Sequence, residues 1–567
     1  MTNPAYERGD HPTRLLASAV HLDDTLADAV VAEFLSEQYR AVPPSPGVRA
    51  EVVLREAVTA RARRRAINAA LVSGLILMTV VAPPILGFWW ASGFGWRVCS
   101  AVVAKMSASR ALSRFGIKLA GPIQRWWVTA VIWSATSFLW WIVLAPLLFV
   151  AAMLGDVTPP MVWVVGAAIL TPILYALLVA AVYLPWTTVL NWYSLQNYNP
   201  SAPVRDQVVK ACARYADRLR LIADNDLRRM GSTSDEVIVY RGEDPFVGAG
   251  IRVRSWSATF ELCAENGKPK EQLPVPEFRP VDLQEFVAID LARLRKARNL
   301  TPGWRFTDLE ISRWAMVSGA QLPYAPGLDI VMAQLQNGQA PQLPEPAWTE
   351  LGDCSPEWLR YYVCYRLEGW DRQLAVAGYL HVGCEENTLV LEWHAFVLPP
   401  IAPGFRMVDA PPAALEWRAI WKALADLALL PTTLPSRTAD VVRGLREGSV
   451  PGGTWYTPEQ AAWTFGAAAS IRELAAATRY GNFFMGSDSD RYQKILERRV
   501  LGAVRQFLEQ RGIVARGFEE MVTQINNSTV VSNSNVIAGT IGGEGNSGSV
   551  GTDKATAGSP TGSGDSK

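Results

Sequence analysis

Two uncharged apolar runs, residues 126–155 and 161–190, constrain this chain more than any other feature of it. A helix needs about 20 predominantly apolar residues to cross a bilayer, so each run is long enough to span with some tilt. A buried core helix would be shorter and would keep a polar side. Trp126, Trp127, Trp186, Trp192 and Tyr193 sit near the run ends, where interfacial aromatics collect. Lys118 and Arg125 precede the first run, Arg205 and Lys210 follow the second, and the connector 155–160 carries no positive charge. The positive-inside asymmetry therefore predicts a hairpin whose tip is outside and whose two ends are cytoplasmic.

A third apolar stretch, 66–91, is interrupted by Pro83-Pro84. Arg61, Arg63, Arg64 and Arg65 precede it, and Arg97, Lys105, Arg110 and Arg114 follow it. Both flanks favour the inside, which predicts a re-entrant segment or a tight hairpin, and two or four crossings in total. No Asp, Glu, Lys, Arg or His lies within the two long runs. Transporters place such groups at membrane depth, so this pattern favours an anchor, although an oligomeric pore would not need one.

The rest divides by composition. Residues 1–65 read as a cytoplasmic helical region, with Asp23 and Asp24 as N-cap candidates and a break at Val42-Pro43-Pro44-Ser45-Pro46-Gly47 before an Arg-rich helix. Residues 66–125 hold the re-entrant or hairpin segment and a basic linker, and 126–192 the transmembrane hairpin. A basic amphipathic helix over 205–229 leads into a cytoplasmic domain ending near residue 520. Strand patterns at 237–240, 256–262, 309–317, 358–367, 373–382 and 389–397 alternate with helical patterns at 282–298, 413–429 and 492–520. That order predicts a membrane-anchored α+β fold with a mixed antiparallel-sheet-plus-helix soluble domain. Residues 521–543 form a β-prone Asn/Val-rich segment, and 544–567 a Gly/Ser-rich disordered tail.

Lys and Arg number 54 against 53 Asp and Glu, which excludes nucleic-acid binding through bulk charge. The six cysteines form no CxxC pair, as expected of reduced thiols in a reducing compartment. The opening residues are largely polar and do not read as a signal peptide.

Catalytic signatures are sparse. There is no GxSxG elbow and no HExxH, and four histidines leave little material for a hydrolase. His381, Cys384, Glu385 and His394 supply zinc-type ligand atoms, but at no standard metal spacing, so no metal or other cofactor is assigned. The acidic run 486–490 lacks the remaining ligands of a calcium loop and is expected to cap the last helix. The loop 240–250 is the most individual stretch, and Gly242, Phe246, Gly248 and Gly250 are its ligand-binding candidates. Glycines there allow the backbone to approach a ligand closely, although the Lys-Ser/Thr of a phosphate loop is missing. A membrane-anchored enzyme or ligand sensor using this loop is one functional class.

The tail supports another. Asn526, Asn527, Val530, Val531, Asn535, Val536, Ile537 and Ile541 lie in an uncharged, proline-free stretch at an exposed end. Such segments stack in register through Asn ladders and dry apolar contacts.

Several stretches together resemble a family of uncharacterised actinobacterial integral membrane proteins. They are Arg40-Ala41-Val42-Pro43-Pro44-Ser45-Pro46-Gly47, the Arg-rich run, Pro245-Phe246-Val247-Gly248-Ala249-Gly250, and 492–508 followed by Asn526-Asn527. The resemblance implies architecture and no catalytic residue. The tail is separately similar to the RHIM-like amyloid motifs of bacterial defence signalling, though Val536-Ile537-Ala538-Gly539 lacks their Gln. The expectation is a non-enzymatic, multi-pass protein of the cell membrane. Its tail would drive self-association or templating by a partner with a similar motif.

Overall fold

The computed structural model describes residues 10–108, 160–231, 235–264, 277–296, 306–446 and 457–527. The apolar run 126–155 lies outside the described residues, as does the tail from 528 onward. Longer elements are numbered in chain order below.

Two short helices, α1 (His11–Leu22) and α2 (Asp24–Phe34), open the structure. The Asp23 carboxylate accepts from the Thr25 and Leu26 amides, so Asp23 is the N-cap of α2. The sequence reading missed α1, because His11, Thr13, Arg14, Ser18 and His21 look like surface residues. All five are buried. They can be, because Arg14 donates to the Tyr193 carbonyl (2.8 Å) and to Asp409 (2.6 Å), while His21 Nε2 lies 2.8 Å from Glu56.

Burial lowers the pKa of both histidines, that of His11 to about 4, and the Arg14 cation adds to the effect at His11. A histidine whose folded pKa lies below the ordinary 6.5 resists protonation in the folded state. Its contribution to stability is intact above pH 6.5 and is lost as pH falls toward 4. Amide exchange along α1 is therefore expected to accelerate over that window, while exchange in the central sheet strands stays flat. Uniform acceleration of both would contradict this.

The Arg-rich segment and the first apolar stretch, expected as separate units, form one helix, α3 (Ala50–Val81). Nothing between Arg65 and Ala66 interrupts the backbone hydrogen bonds. The break falls at Ala82, and α4 (Pro83–Ala108) restarts on Pro83, which lacks the N–H that a first-turn residue leaves unused anyway. The long run 161–190 lies within α5 (Pro160–Tyr193). Helices α3 and α5 are long and apolar enough to cross a membrane. They lie antiparallel: Val81 packs against Gly166, Leu174 against Gly74, and Arg63 donates to Thr188 Oγ1 at 3.1 Å. Glycine at both contacts lets the backbones approach, as at many helix pairs in lipid. The arginines preceding the apolar half are engaged by protein rather than free: Arg61 and Arg64 pair with Asp28, and Arg64 also with Asp24 and Asp440.

The expected basic helix is split by a 3-10 turn into α6 (Asp206–Cys212) and α7 (Ala216–Gly231), both packed on α3. A seven-stranded sheet follows, in the order β1-β3-β4-β5-β6-β2-β7. Its strands are β1 (Glu236–Tyr240), β2 (Ile251–Ala264), β3 (Glu310–Ser318), β4 (Leu359–Gly369), β5 (Leu374–Glu385), β6 (Thr388–Leu398) and β7 (Ile513–Ala515). Among the described strands, β1 and β3 alone pair in parallel. Strands β4, β5 and β6 form an antiparallel meander, with the turn between β5 and β6 on Glu386 (φ +49°) and Asn387. The mixed sheet-plus-helix class is thus observed. One face is covered by α8 (Pro280–Ala292) and, from the C-terminal region, a long helix, with Leu283, Val287, Leu496, Val500 and Phe507 in the interface. The opposite face carries a smaller core of Phe246, Trp314, Tyr362, Tyr379 and Phe396.

Two further expectations are corrected. The stretch 205–520 is not all built on the sheet, because α9 (Leu415–Leu429) and α10 (Leu434–Arg446) leave it and pack on α3 and α5. The final helix is α11 (Phe483–Gln510), nine residues earlier than its periodicity suggested. It is capped by Asn482, which accepts from the Met485 amide at 2.8 Å. The acidic run 486–490 is therefore inside the helix and not its cap. Asp488 is buried, accepting from Trp370 Nε1 and paired with Arg491. Gly512 (φ +65°) ends the segment, β7 adds to the end of β2, and α12 (Phe518–Asn527) follows.

Candidate functional site

The loop 241–250 passes over the aromatic face of the sheet. Phe246 is buried among Tyr362, Tyr379, His394 and Phe396, with ring centroids 4.7–5.3 Å away. Its ring is core. Gly242, Gly248 and Gly250 all have φ above +90°, which a side chain would strain. Gly242 has open space around it. A Cβ on Gly248 would meet the Pro44 carbonyl, and one on Gly250 the Val397 carbonyl.

What organises the loop is Glu473. Ser470-Ile471-Arg472-Glu473 is a capping box: the Ser470 hydroxyl accepts from the Glu473 amide, and Glu473 Oε2 accepts from the Ser470 amide at 2.7 Å. The same carboxyl accepts the Gly248 amide at 3.0 Å and the Gly250 amide at 2.8 Å. It is buried, and burial raises its pKa while the backbone amides pull it back. Beside it, the wholly buried Arg472 donates to the Pro46 carbonyl at 2.6 Å. So 40–47 and 245–250, two stretches that carried the family resemblance, meet at one junction. Glu33 extends it: its carboxylate accepts from the Ala468 amide and pairs with Arg40 and Arg241, both of which stack on Trp463.

The amides at 248 and 250, which a bound anion would use, are therefore already taken by a carboxyl group of the chain itself. Substitution at these glycines would be the natural way to separate an association protein from a ligand sensor. It cannot do so, because both are required by the backbone whatever the function. The S-x-x-E box marks Glu473 in the sequence as a capping residue, without reporting its pairing with the loop.

The histidines considered as metal ligands do share a sheet face. Register places His381 opposite Glu392 and Tyr379 opposite His394. Tyr362 donates to Glu392 at 3.2 Å, and His394 Nε2 lies 3.9 Å from Glu392, which holds that carboxylate below its usual range. His381 Nδ1 lies 2.8 Å from the Tyr361 carbonyl and burial lowers its pKa, so the ring is a neutral donor there. Cys384 and Glu385 stand apart at the strand end, and the Cys384 thiol is turned toward the Glu386 carbonyl. Among the described residues no group of three or more His, Cys, Asp or Glu is placed to hold a metal ion. A crevice between β2 and α11, lined by Arg254, Trp393 and Glu497, has a volume of about 20 Å³, room for a single water.

Of the self-association residues, Asn526 and Asn527 end α12. Val530, Val531, Asn535, Val536, Ile537 and Ile541 lie outside the described residues.

The family comparison is decisive for relationship. The AbeC-like domain matches residues 255–543, just over half of the chain. The chain belongs to the AbeC-like domain family. No curated protein and no solved structure matches it. The AbeC-like region takes in β2 through β7, α8 to α12 and the β-prone segment, and stops where the Gly/Ser-rich composition begins. It omits β1, although β1 completes the sheet beside β3, and it omits both span-length helices. The Glu473 clamp therefore joins the AbeC-like region to residues upstream of it.

Proposed function

We propose that this AbeC-like protein is a membrane-anchored, non-enzymatic signalling or effector protein of bacterial defence, of the actinobacterial kind its motifs resemble. Helices α3 and α5, with the run 126–155, anchor it as a multi-pass protein whose N-terminal layer and sheet domain are cytoplasmic. The segment 526–541 drives self-association, or templating by a partner with a similar RHIM-like motif.

The observation that carries the reading is the apolar surface of the two long helices. Val80 on α3 is 76% exposed and Val164 on α5 is 60% exposed, with Ile76, Ile169 and Ile173 beside them. A continuous surface of this kind belongs in lipid or against a partner. The AbeC-like match supports the tail's part, because it ends at residue 543, with the β-prone segment and not before it.

Two measurements test the association. A peptide covering 521–551 is expected to give fibre reflections near ~4.7 and ~10 Å. The full chain in vesicles is expected to form assemblies that disappear when it is truncated after Asn527. A monomeric peptide together with unchanged assembly of the truncated chain would refute the reading.

A further inference from the structure

Helices α9 and α10 trace a path that neither the family match nor the apolar runs assign. The chain leaves the N-terminal layer at Asp409, which is bound to Arg14, itself bound to the end of α5 at Tyr193. Helix α9 then packs against α5, where the Ile420 carbonyl accepts from the Tyr175 hydroxyl at 3.1 Å. At its far end the Ala428 carbonyl accepts from Trp89 Nε1 of α4 at 3.2 Å, and Gly93 lies against the same turn. A 3-10 turn, Leu430–Thr433, reverses the direction, and Leu430 is buried with Leu71 and Leu75. Helix α10 climbs back along α3: Arg437 reaches Asn68, Asn68 donates to Asp440 at 2.8 Å, and Asp440 pairs with Arg64.

The depth of this excursion follows from both long helices. Thr188 stands level with Arg63. Tyr175, which holds Ile420, is 13 residues further along α5, about 20 Å by its rise per residue. Leu71 and Leu75, which share a core with Leu430 of the turn, are 8 and 12 residues beyond Arg63 on α3, about 12 and 18 Å. A hydrocarbon core is about 30 Å thick, so the excursion passes the midplane without crossing.

Helix α9 carries three stripes. Leu415, Ala419 and Ala423 are buried against the bundle, two of them small enough for close packing. Arg418, Lys422 and Asp426 form a polar stripe, and Asp426 is a charge neighbour of Arg437 on α10. Trp417, Ile420, Trp421 and Leu424, at i, i+3, i+4 and i+7, point outward, with the two tryptophans 64% and 65% exposed. The outward stripe continues the exposed apolar faces of α4 (Trp90, Phe94) and α5 (Ile169, Ile173). Soluble surfaces rarely show so large an apolar area, and its continuity with span-length helices identifies the occupant as lipid.

We propose that α9, the 430–433 turn and α10 form a re-entrant helical hairpin. It enters the bilayer from the side of α1 and α2, with Trp417, Ile420, Trp421 and Leu424 against acyl chains and the Arg418–Lys422–Asp426 stripe on a water-accessible groove. This rests on the anchoring reading above. It adds that the AbeC-like region itself inserts into the membrane.

The test uses the full chain in phosphatidylcholine/phosphatidylglycerol vesicles, with Cys99 replaced by alanine and Cys263, Cys354 and Cys384 by serine. A nitroxide is placed at Trp421→Cys, Leu424→Cys, Lys422→Cys or, as a sheet-domain reference, Trp358→Cys. Collisions with oxygen should exceed those with an aqueous nickel chelate at 421 and 424 by at least threefold relative to 358, and Lys422→Cys should lie between. Equal nickel access at 421, 424 and 358 overturns the hairpin, as does protection of 421 and 424 that persists in detergent, which would mean a protein partner. Alkaline extraction of the same preparations separates the two readings. A chain that stays in the pellet with 421 and 424 wet loses the hairpin and keeps the anchor. A chain that is released loses both.

Discussion

Glu473→Ala is expected to release the 241–250 loop and destabilise the junction by about 3–5 kcal/mol, because three buried backbone amides lose their acceptor at once. Both carboxyl oxygens are used, Oε1 by Gly248 and Gly250 and Oε2 by Gly248 and Ser470. Glu473→Gln is therefore not silent. Its amide NH2 must face at least one N–H, and about half the cost of the alanine variant should remain. Global melting is a poor readout for a chain of several packed units, where a single transition is not assured. Amide exchange at Gly248 and Gly250 is the direct one, expected to accelerate by about two to three orders of magnitude. Unchanged protection would mean that the loop is held by its apolar contacts alone.

Gly250→Ala should be nearly as damaging. The backbone sits at φ +92°, and the new methyl would press on the Val397 carbonyl and the Leu398 Cα of β6. Strain and displacement together should cost about 3 kcal/mol. Because Gly250 donates to Glu473, the two losses share a hydrogen bond. The double variant should fall short of the sum by about 1 kcal/mol or more. Full additivity would show that the clamp and the glycine act independently.

Much of the sheet domain was legible in the sequence, because its signals are local. Period-two alternation placed β3, β4 and β6 within two residues and β5 within three, and an Asp before an apolar run placed the cap of α2. The misses are the places where distant residues decide. Helix α1 looked like a polar leader because the partners that let Arg14 and His21 be buried are Asp409, Tyr193 and Glu56, far away in the chain. Helix α9 looked like a surface helix of the sheet domain, because its four charges and its apolar residues alternate in a way that composition averages out. Its Ala419–Ala423 face, set against α5, is visible only in three dimensions. The loop 240–250 was singled out correctly as unusual. Its glycines are explained by Glu473, more than 220 residues downstream, and no local pattern reports that pairing.

The N-terminal layer also has a bearing on how this protein comes into being. Its core contains α1, α2 and the first half of α3, but it is closed by Val189, Ile401, Val408, Ile471 and Ala475. During synthesis, the apolar faces of α1 and α2 therefore emerge first and wait for most of the chain before they are covered. Contacts at such sequence separation are slow to form, and unshielded apolar surface in the interval invites misassembly. Under the anchoring proposed above, insertion of α3 and α5 would shorten that wait, since a bilayer would hold both helices in place before the sheet exists. The membrane would then serve as a scaffold for completing the fold as well as its location.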